Sequence, residues 1–164
     1  MLKPNFKCLG LLVALATSNI TMAQNHSVAQ IKLKDLRSSH SSVSYHSDKS
    51  TILMFFQPDC PWCKKQAKVM AELQHQCEKH IGFTLVGDKG SRTQLKRELR
   101  HFDDQMTAKQ SSKKFARSSG GIIGYPTTLV IDNQGNIVAK KRGMVGKELL
   151  YQLASELSGG TCGQ

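Results

Sequence analysis

The stretch Thr51-Ile-Leu-Met-Phe-Phe-Gln-Pro-Asp-Cys-Pro-Trp-Cys-Lys-Lys65 constrains this chain more than any other. Ile52 to Phe56 is a run of apolar and β-branched residues, the pattern of a buried strand. It breaks at Gln57-Pro58-Asp59 and delivers Cys60 to the start of a helix. Pro61 suits the first helical position, where a missing N–H costs nothing and φ is already near the helical value. Cys63 follows one helical turn after Cys60, which lets the two sulfurs approach bonding distance. The positive end of the helix dipole favours a thiolate at Cys60. Lys64 and Lys65 add positive charge nearby, an effect that is usually small when the charge is solvated. The stretch therefore predicts a nucleophilic, reversible dithiol at a strand–helix junction.

Two other readings compete with that one. A Cys-x-x-Cys pair can be half of a zinc site, but the usual cage needs a second pair at ribbon or finger spacing, and Cys77 and Cys162 each stand alone. An inert structural disulfide is also available, although so tight a ring at a helix start is more often reducible.

The first residues predict the compartment. Lys3 and Lys7 precede the apolar run Cys8 to Ala16, and small residues at Thr21 and Ala23 stand where a signal peptidase reads. Nine apolar residues are too few to span a bilayer, which takes about twenty. Residues 1–23 thus read as a cleavable secretory signal peptide, and the expected destination is the periplasm, an oxidising space in which disulfides persist. Residues 24–50 read as an N-terminal segment and a Ser/His-rich linker, with a weak edge-strand pattern at Ile31, Leu33 and Leu36. Loop histidines such as His40 and His46 are ordinarily solvated. Residues 51–164 read as the folded domain, of a size that supports one core.

With 23 Lys and Arg against 12 Asp and Glu, the chain carries a formal charge of +11. Such a balance can mark a nucleic-acid or membrane-phosphate partner. Here the aromatic share is 6% and the cations are spread over several helix faces, so a solvated basic surface is expected, with no nucleic acid bound.

Downstream, a helix is expected from about Cys60 to His80, with Ala67, Met70, Ala71 and Leu73 as its apolar stripe. Gly82 to Val86 reads as a strand. Ser91-Arg-Thr-Gln94 fits a capping box that starts a helix with Leu95, Leu99 and Phe102 on one face. Asp103 to Gly121 is polar and lysine-rich; a short helix is open over Lys109 to Ala116, where the periodicity does not decide between helix and loop. Thr127 to Ile131 and Ile137 to Lys141 form a β-hairpin around Asp132-Asn-Gln-Gly-Asn136. Lys147 to Leu157 is a final amphipathic helix with Leu149, Leu150, Leu153 and Leu157 inward.

Strand, Cys60-Pro-Trp-Cys63, helix, strand and helix, followed by Gly124-Tyr-Pro-Thr-Thr128 before a hairpin and a last helix, resembles the thioredoxin superfamily over roughly residues 50–158. The resemblance is greatest to its exported single-domain members of the TlpA and cytochrome-c-maturation type. It implies an α/β thioredoxin-like fold: a central mixed sheet flanked by helices, with a C-terminal hairpin and helix. It also implies that Cys60 attacks, that Cys63 resolves, and that Pro126 is a cis-proline beside the dithiol with Tyr125 just before it. Pro61, Trp62, Tyr125 and Pro126 would contact substrate. The implied partners are proteins bearing thiols or disulfides and a membrane electron donor; the implied chain is a monomer that needs no cofactor and no metal.

Departures from the family pattern matter as well. Thioredoxin's buried acid on the active-site strand is replaced by Met54, so a proton acceptor for Cys63 must come from elsewhere. The resemblance favours a reductase or isomerase over an oxidase, while Met54 argues against fast thioredoxin-like reduction. An exported copper-handling protein is the rival from another class; that resemblance calls for wider cysteine spacing and a partnering histidine. The fold would also bring Cys77 and Cys162 to one far corner, able to close a structural disulfide; the residues alone equally allow two unpaired thiols.

Overall fold

The computed structural model describes residues 27–38, 42–43 and 48–162. The proposed signal segment, His40 and His46 lie outside the described residues.

Strand β3 (Thr51–Phe56) is buried at all six positions. Its alternate side chains supply two cores: Ile52, Met54 and Phe56 enter one, Leu53 and Phe55 the other. A strand covered on both faces has no polar side to show, which is why it reads as an unbroken apolar run. It is joined in parallel to β4 (Gly82–Gly87) and antiparallel to β6 (Thr127–Ile131). Outward from β4 come β5 (Thr107–Gln110), β1 (Leu33–Asp35) and β2 (Ser42–Val43); outward from β6 comes β7 (Ile137–Arg142). The mixed sheet of the described residues thus has the order β2-β1-β5-β4-β3-β6-β7.

Helix α1 (Pro61–Cys77) buries Cys63, Gln66, Ala67, Met70, Leu73, Gln74 and Cys77. It packs beside α4 (Lys147–Leu157) on the face that holds Met54 and Phe56. That face also takes Leu95 of α2 (Arg92–Glu98), Leu99 of the following 3-10 turn, and Phe102, whose ring meets Phe56 edge-on at a centroid distance of 5.0 Å. Ser91 starts α2 with the expected capping box: its hydroxyl accepts from the Gln94 N–H and Gln94 Oε1 accepts from the Ser91 N–H. The opposite core collects Val28, Ile31, Leu33, Leu53, Phe55, Val86, Leu129 and Ile131 around Phe115 of α3 (Lys113–Ser118).

The short helix begins at Lys113, because Thr107–Gln110 is a strand, with Ala108 and Lys109 buried between β4 and β1. Two local expectations change. In α4 the inward face is Leu150, Leu153, Ala154 and Leu157, an i, i+3, i+4, i+7 set; Leu149 lies about one residue's rotation away and is 41% exposed. The segment before residue 51 also contributes to the sheet and core: β1 pairs with β5, and Val28, Ile31, Leu33 and Leu36 are buried. The Val28 N–H donates to the Gly135 carbonyl at 2.8 Å, tying this segment to the β6–β7 turn.

Burial of Lys109 lowers its pKa to about 8, with nearby Asp35 acting weakly in the other direction. The unfolded chain holds that proton up to about pH 10.5, so between about pH 8 and 10.5 the unfolded state binds more protons and this residue makes stability rise with pH. Lys109→Met should therefore be more stable than the wild type at pH 7. The difference should close as pH approaches 10.5, as read from urea unfolding midpoints across that range.

Candidate active site

The site is built at the carboxyl end of β3. After Phe56 the chain turns through Gln57, Pro58 and Asp59, and Asp59 sits at φ 54°, the one left-handed non-glycine among the described residues. Cys60 is the N-cap of α1 and Pro61 opens the helix. The Cys60 sulfur accepts the Cys63 N–H at 3.2 Å, the bond that a serine or aspartate oxygen would usually take at this position. An unpaired helical N–H and the positive end of the helix therefore both point at this sulfur, which favours its anionic form.

Cys60 and Cys63 are joined as a disulfide with Cα atoms 5.3 Å apart. Cys60 is 5% exposed and Cys63 fully buried, so both are enclosed and Cys60 is the less buried of the two. Beside them Trp62 is 55% exposed, with the Lys65 ammonium 4.6 Å from its ring centroid.

The second half of the site comes from the start of β6. Phe55 pairs with Thr127, which puts the preceding residues at the same end of the sheet as the dithiol. The Tyr125–Pro126 peptide bond is cis. Tyr125 packs against the core cluster that includes Cys60 and Cys63, and its hydroxyl donates to Asp88 Oδ2. Asp88 in turn donates its N–H to the Phe56 carbonyl at 3.0 Å, closing a loop from the cysteine-bearing strand to Tyr125. Burial, then the Asp88 bond and charge, push the Tyr125 phenol well above its ordinary pKa.

A thioredoxin-like domain model matches residues 41–157 of this sequence. The chain belongs to the thioredoxin-like domain family. Its fold superposes on solved members of that superfamily. Mixed oxidised and reduced DsbF from MTB aligns with a TM-score of 0.68 at 18% identity, covering 79% of this chain and 96% of that one. A thioredoxin-family thiol:disulfide interchange protein from Chlorobium tepidum gives 0.69 at 19%, covering 82% and 97%. The exposed lipoprotein thioredoxin Etrx1 of Streptococcus pneumoniae gives 0.66 at 20%, covering 77% and 98%. Among curated proteins none matches significantly.

In this thioredoxin-like domain, Cys60, Pro61, Trp62, Cys63, Tyr125 and Pro126 converge on one end of the sheet. Cys77 and Cys162 lie elsewhere. Cys77 is the last residue of α1, Cys162 follows α4, and their Cα atoms are 5.6 Å apart, with both side chains buried. Among the described residues, no three His, Cys, Asp or Glu side chains are placed to hold a metal ion.

Two buried polar side chains were not singled out from the sequence. Glu98, at the end of α2, reaches the turn before Cys60. Gln66, one turn past Cys63, is fully buried; its amide donates to Thr128 Oγ1 at 2.6 Å and accepts the Val145 N–H at 2.8 Å. It thereby ties the active-site helix to β6, two residues beyond Pro126, and to the loop leading into α4. The signal for Gln66 was present: a polar residue on the same helical face as Cys63, Ala67 and Met70. Gln66→Leu keeps the volume but strands the buried Val145 N–H and Thr128 hydroxyl. It should cost about 1–3 kcal/mol in urea unfolding.

Proposed function

We propose that this chain is a thiol–disulfide oxidoreductase of the periplasm or an equivalent oxidising extracytoplasmic space, acting on protein substrates as a reductase or isomerase. One observation carries the reading: Cys60 caps the N-terminus of α1 with Cys63 bonded to it, so the less buried of the two sulfurs receives the helix field. The basic–apolar–small order of residues 1–23 supports the compartment. The likeness of the fold to an exposed lipoprotein thioredoxin and to a thiol:disulfide interchange protein supports it too.

In the reducing direction the Cys60 thiolate attacks one sulfur of a substrate disulfide. A Cys60–substrate bond forms and the other substrate sulfur leaves as a thiolate. Cys63, deprotonated, then attacks Cys60 Sγ; the mixed disulfide breaks and the second substrate thiolate departs. The protein ends as the Cys60–Cys63 disulfide and the substrate has gained two electrons. Trp62 and the backbone around Tyr125 and Pro126 flank the attacked sulfur and supply the surface against which an extended substrate chain rests. A membrane electron donor would return the dithiol to its reduced state.

Equilibration in glutathione or dithiothreitol buffers tests this directly. A two-electron transition near −270 mV, the value of thioredoxin, is expected; one near −120 mV would mark an oxidant. Cys60→Ser should abolish exchange and Cys63→Ser should accumulate covalent substrate adducts. No adducts from Cys63→Ser protein expressed in the exported compartment would defeat the reading.

Cys77 and Cys162 are proposed as a structural disulfide that pins the end of α1 to the tail of α4. In the chain-entropy picture, closing a loop with a sequence separation of 85 stabilises by about 4–5 kcal/mol. Non-reducing mass mapping of air-oxidised Cys63→Ser protein should recover a Cys77–Cys162 linked peptide pair. Free thiols at both positions would refute the bond.

A further inference from the structure

Glu98 is a carboxylate-bearing side chain buried against the active-site turn, with only 6% of the side chain exposed. Its Oε2 accepts the Asp59 N–H at 3.2 Å, one residue before Cys60. Its Oε1 lies 3.3 Å from the ammonium of Lys64, and no donor is aligned on that oxygen as a hydrogen bond, so the contact is ionic. Lys64 belongs to the turn that follows the dithiol, and its own N–H donates to the Cys60 carbonyl at 3.2 Å. Glu98 thus holds the Pro58–Asp59 peptide group, one residue before Cys60, and the Lys64 backbone holds the Cys60 carbonyl after it. By chain geometry the carboxylate stands within about 10 Å of the sulfur.

Burying a carboxylate is costly unless it is paired, so a position this enclosed needs both its contacts. Their electrostatic effect on the sulfur has a definite sign. The helix terminus and the Lys64 charge both favour the Cys60 thiolate. Glu98 opposes them and cancels the lysine. Other charged and titratable groups around the sulfur are Cys63 and the exposed Asp59 on its own segment, Lys65 over Trp62, Asp88 and Lys89 after β4, and Tyr125 before β6. None of these is altered by substitution at 64 or 98.

We infer that Glu98 is a positioning residue that neutralises Lys64 beside the dithiol and thereby sets its reduction potential toward the reducing side. The inference rests on the thiol–disulfide reading above and assigns a control to that same site. A dithiol with a more stable thiolate is the stronger oxidant, because its reduced form is the one stabilised. Removing the acid and removing the lysine must then move the potential in opposite directions. A merely structural role has no reason to do so.

The test compares the wild-type chain with E98Q, K64Q and the double variant, by redox equilibration at pH 7 and by the pH profile of Cys60 alkylation. Gln at 98 keeps an acceptor for the Asp59 N–H and nearly the same volume. E98Q should shift the equilibrium toward the dithiol roughly three- to tenfold, about 15–30 mV upward, and lower the alkylation midpoint. K64Q should shift both readouts the other way, the double variant should return close to the wild type, and K64R should restore it. K64R keeps the cation that the buried Glu98 needs and K64Q removes it, so the contrast between K64Q and K64R reads the charge even if E98Q folds poorly. A K64Q potential that rises or does not move, or shifts of the same sign in both single variants, overturns the inference while leaving the oxidoreductase reading intact. A wild-type chain with no reversible two-electron couple removes both.

Discussion

The hydrogen bond from the Cys63 N–H to the Cys60 sulfur is where sheet, helix and chemistry meet. It exists only because β3 ends at a fixed height and α1 begins four residues after the turn opens at Gln57. The end of β3 is fixed by burial: six consecutive residues covered on both faces cannot slip without exposing one core or the other. The start of α1 is fixed by Pro61, which fits the first helical turn and cannot serve its interior. Between them Asp59 takes a left-handed conformation, and the backbone there is held from outside by Glu98. The reactive sulfur thus occupies a position that three separate elements determine.

The rest of the site depends on that junction through polar connections made in an apolar setting. Asp88 joins the end of β3 to Tyr125, and Gln66 joins α1 to β6 and to the Val145 loop. Buried amides and hydroxyls are expensive when unmet, and these are met from elements distant in sequence. They lock the relative positions of the dithiol and the Tyr125–Pro126 segment, with the Asp88 carboxylate accepting from the Tyr125 hydroxyl. Cations are kept to the rim, where Lys65 and Lys89 lie over the faces of Trp62 and Tyr125.

How much of this was legible in the sequence varied with the kind of pattern. The central strand, the capped dithiol, the Ser91 box and the Asp132–Asn136 hairpin are local: each is specified by residues within one turn or one strand of each other. Strand β5 was not legible, because its central pair, Ala108 and Lys109, looks like polar, lysine-rich loop; a lysine buried between two strands leaves no apolar mark. The outward position of Leu149 could not be read from composition, since five neighbouring apolar residues offer more than one possible stripe in a helix of 11 residues. Glu98 escaped notice for a related reason: in an otherwise basic helix an acid looks solvated, and only the fold brings α2 against the Asp59 turn.

Helix α1 carries one cysteine pair at its first turn and another at its last residue. Over 17 residues, at about 1.5 Å of rise each, the two pairs stand roughly 25 Å apart along a rigid rod. Exchange between them requires sulfur-to-sulfur attack in line and at contact, so in the folded molecule they are insulated from each other. A thiol–disulfide oxidoreductase of this geometry is in this way kept from attacking the proposed Cys77–Cys162 bond within its own molecule. Intramolecular exchange between the two ends of the helix is confined to the unfolded state, so any scrambling among these four sulfurs within one molecule is a matter of folding rather than of the working life of the protein.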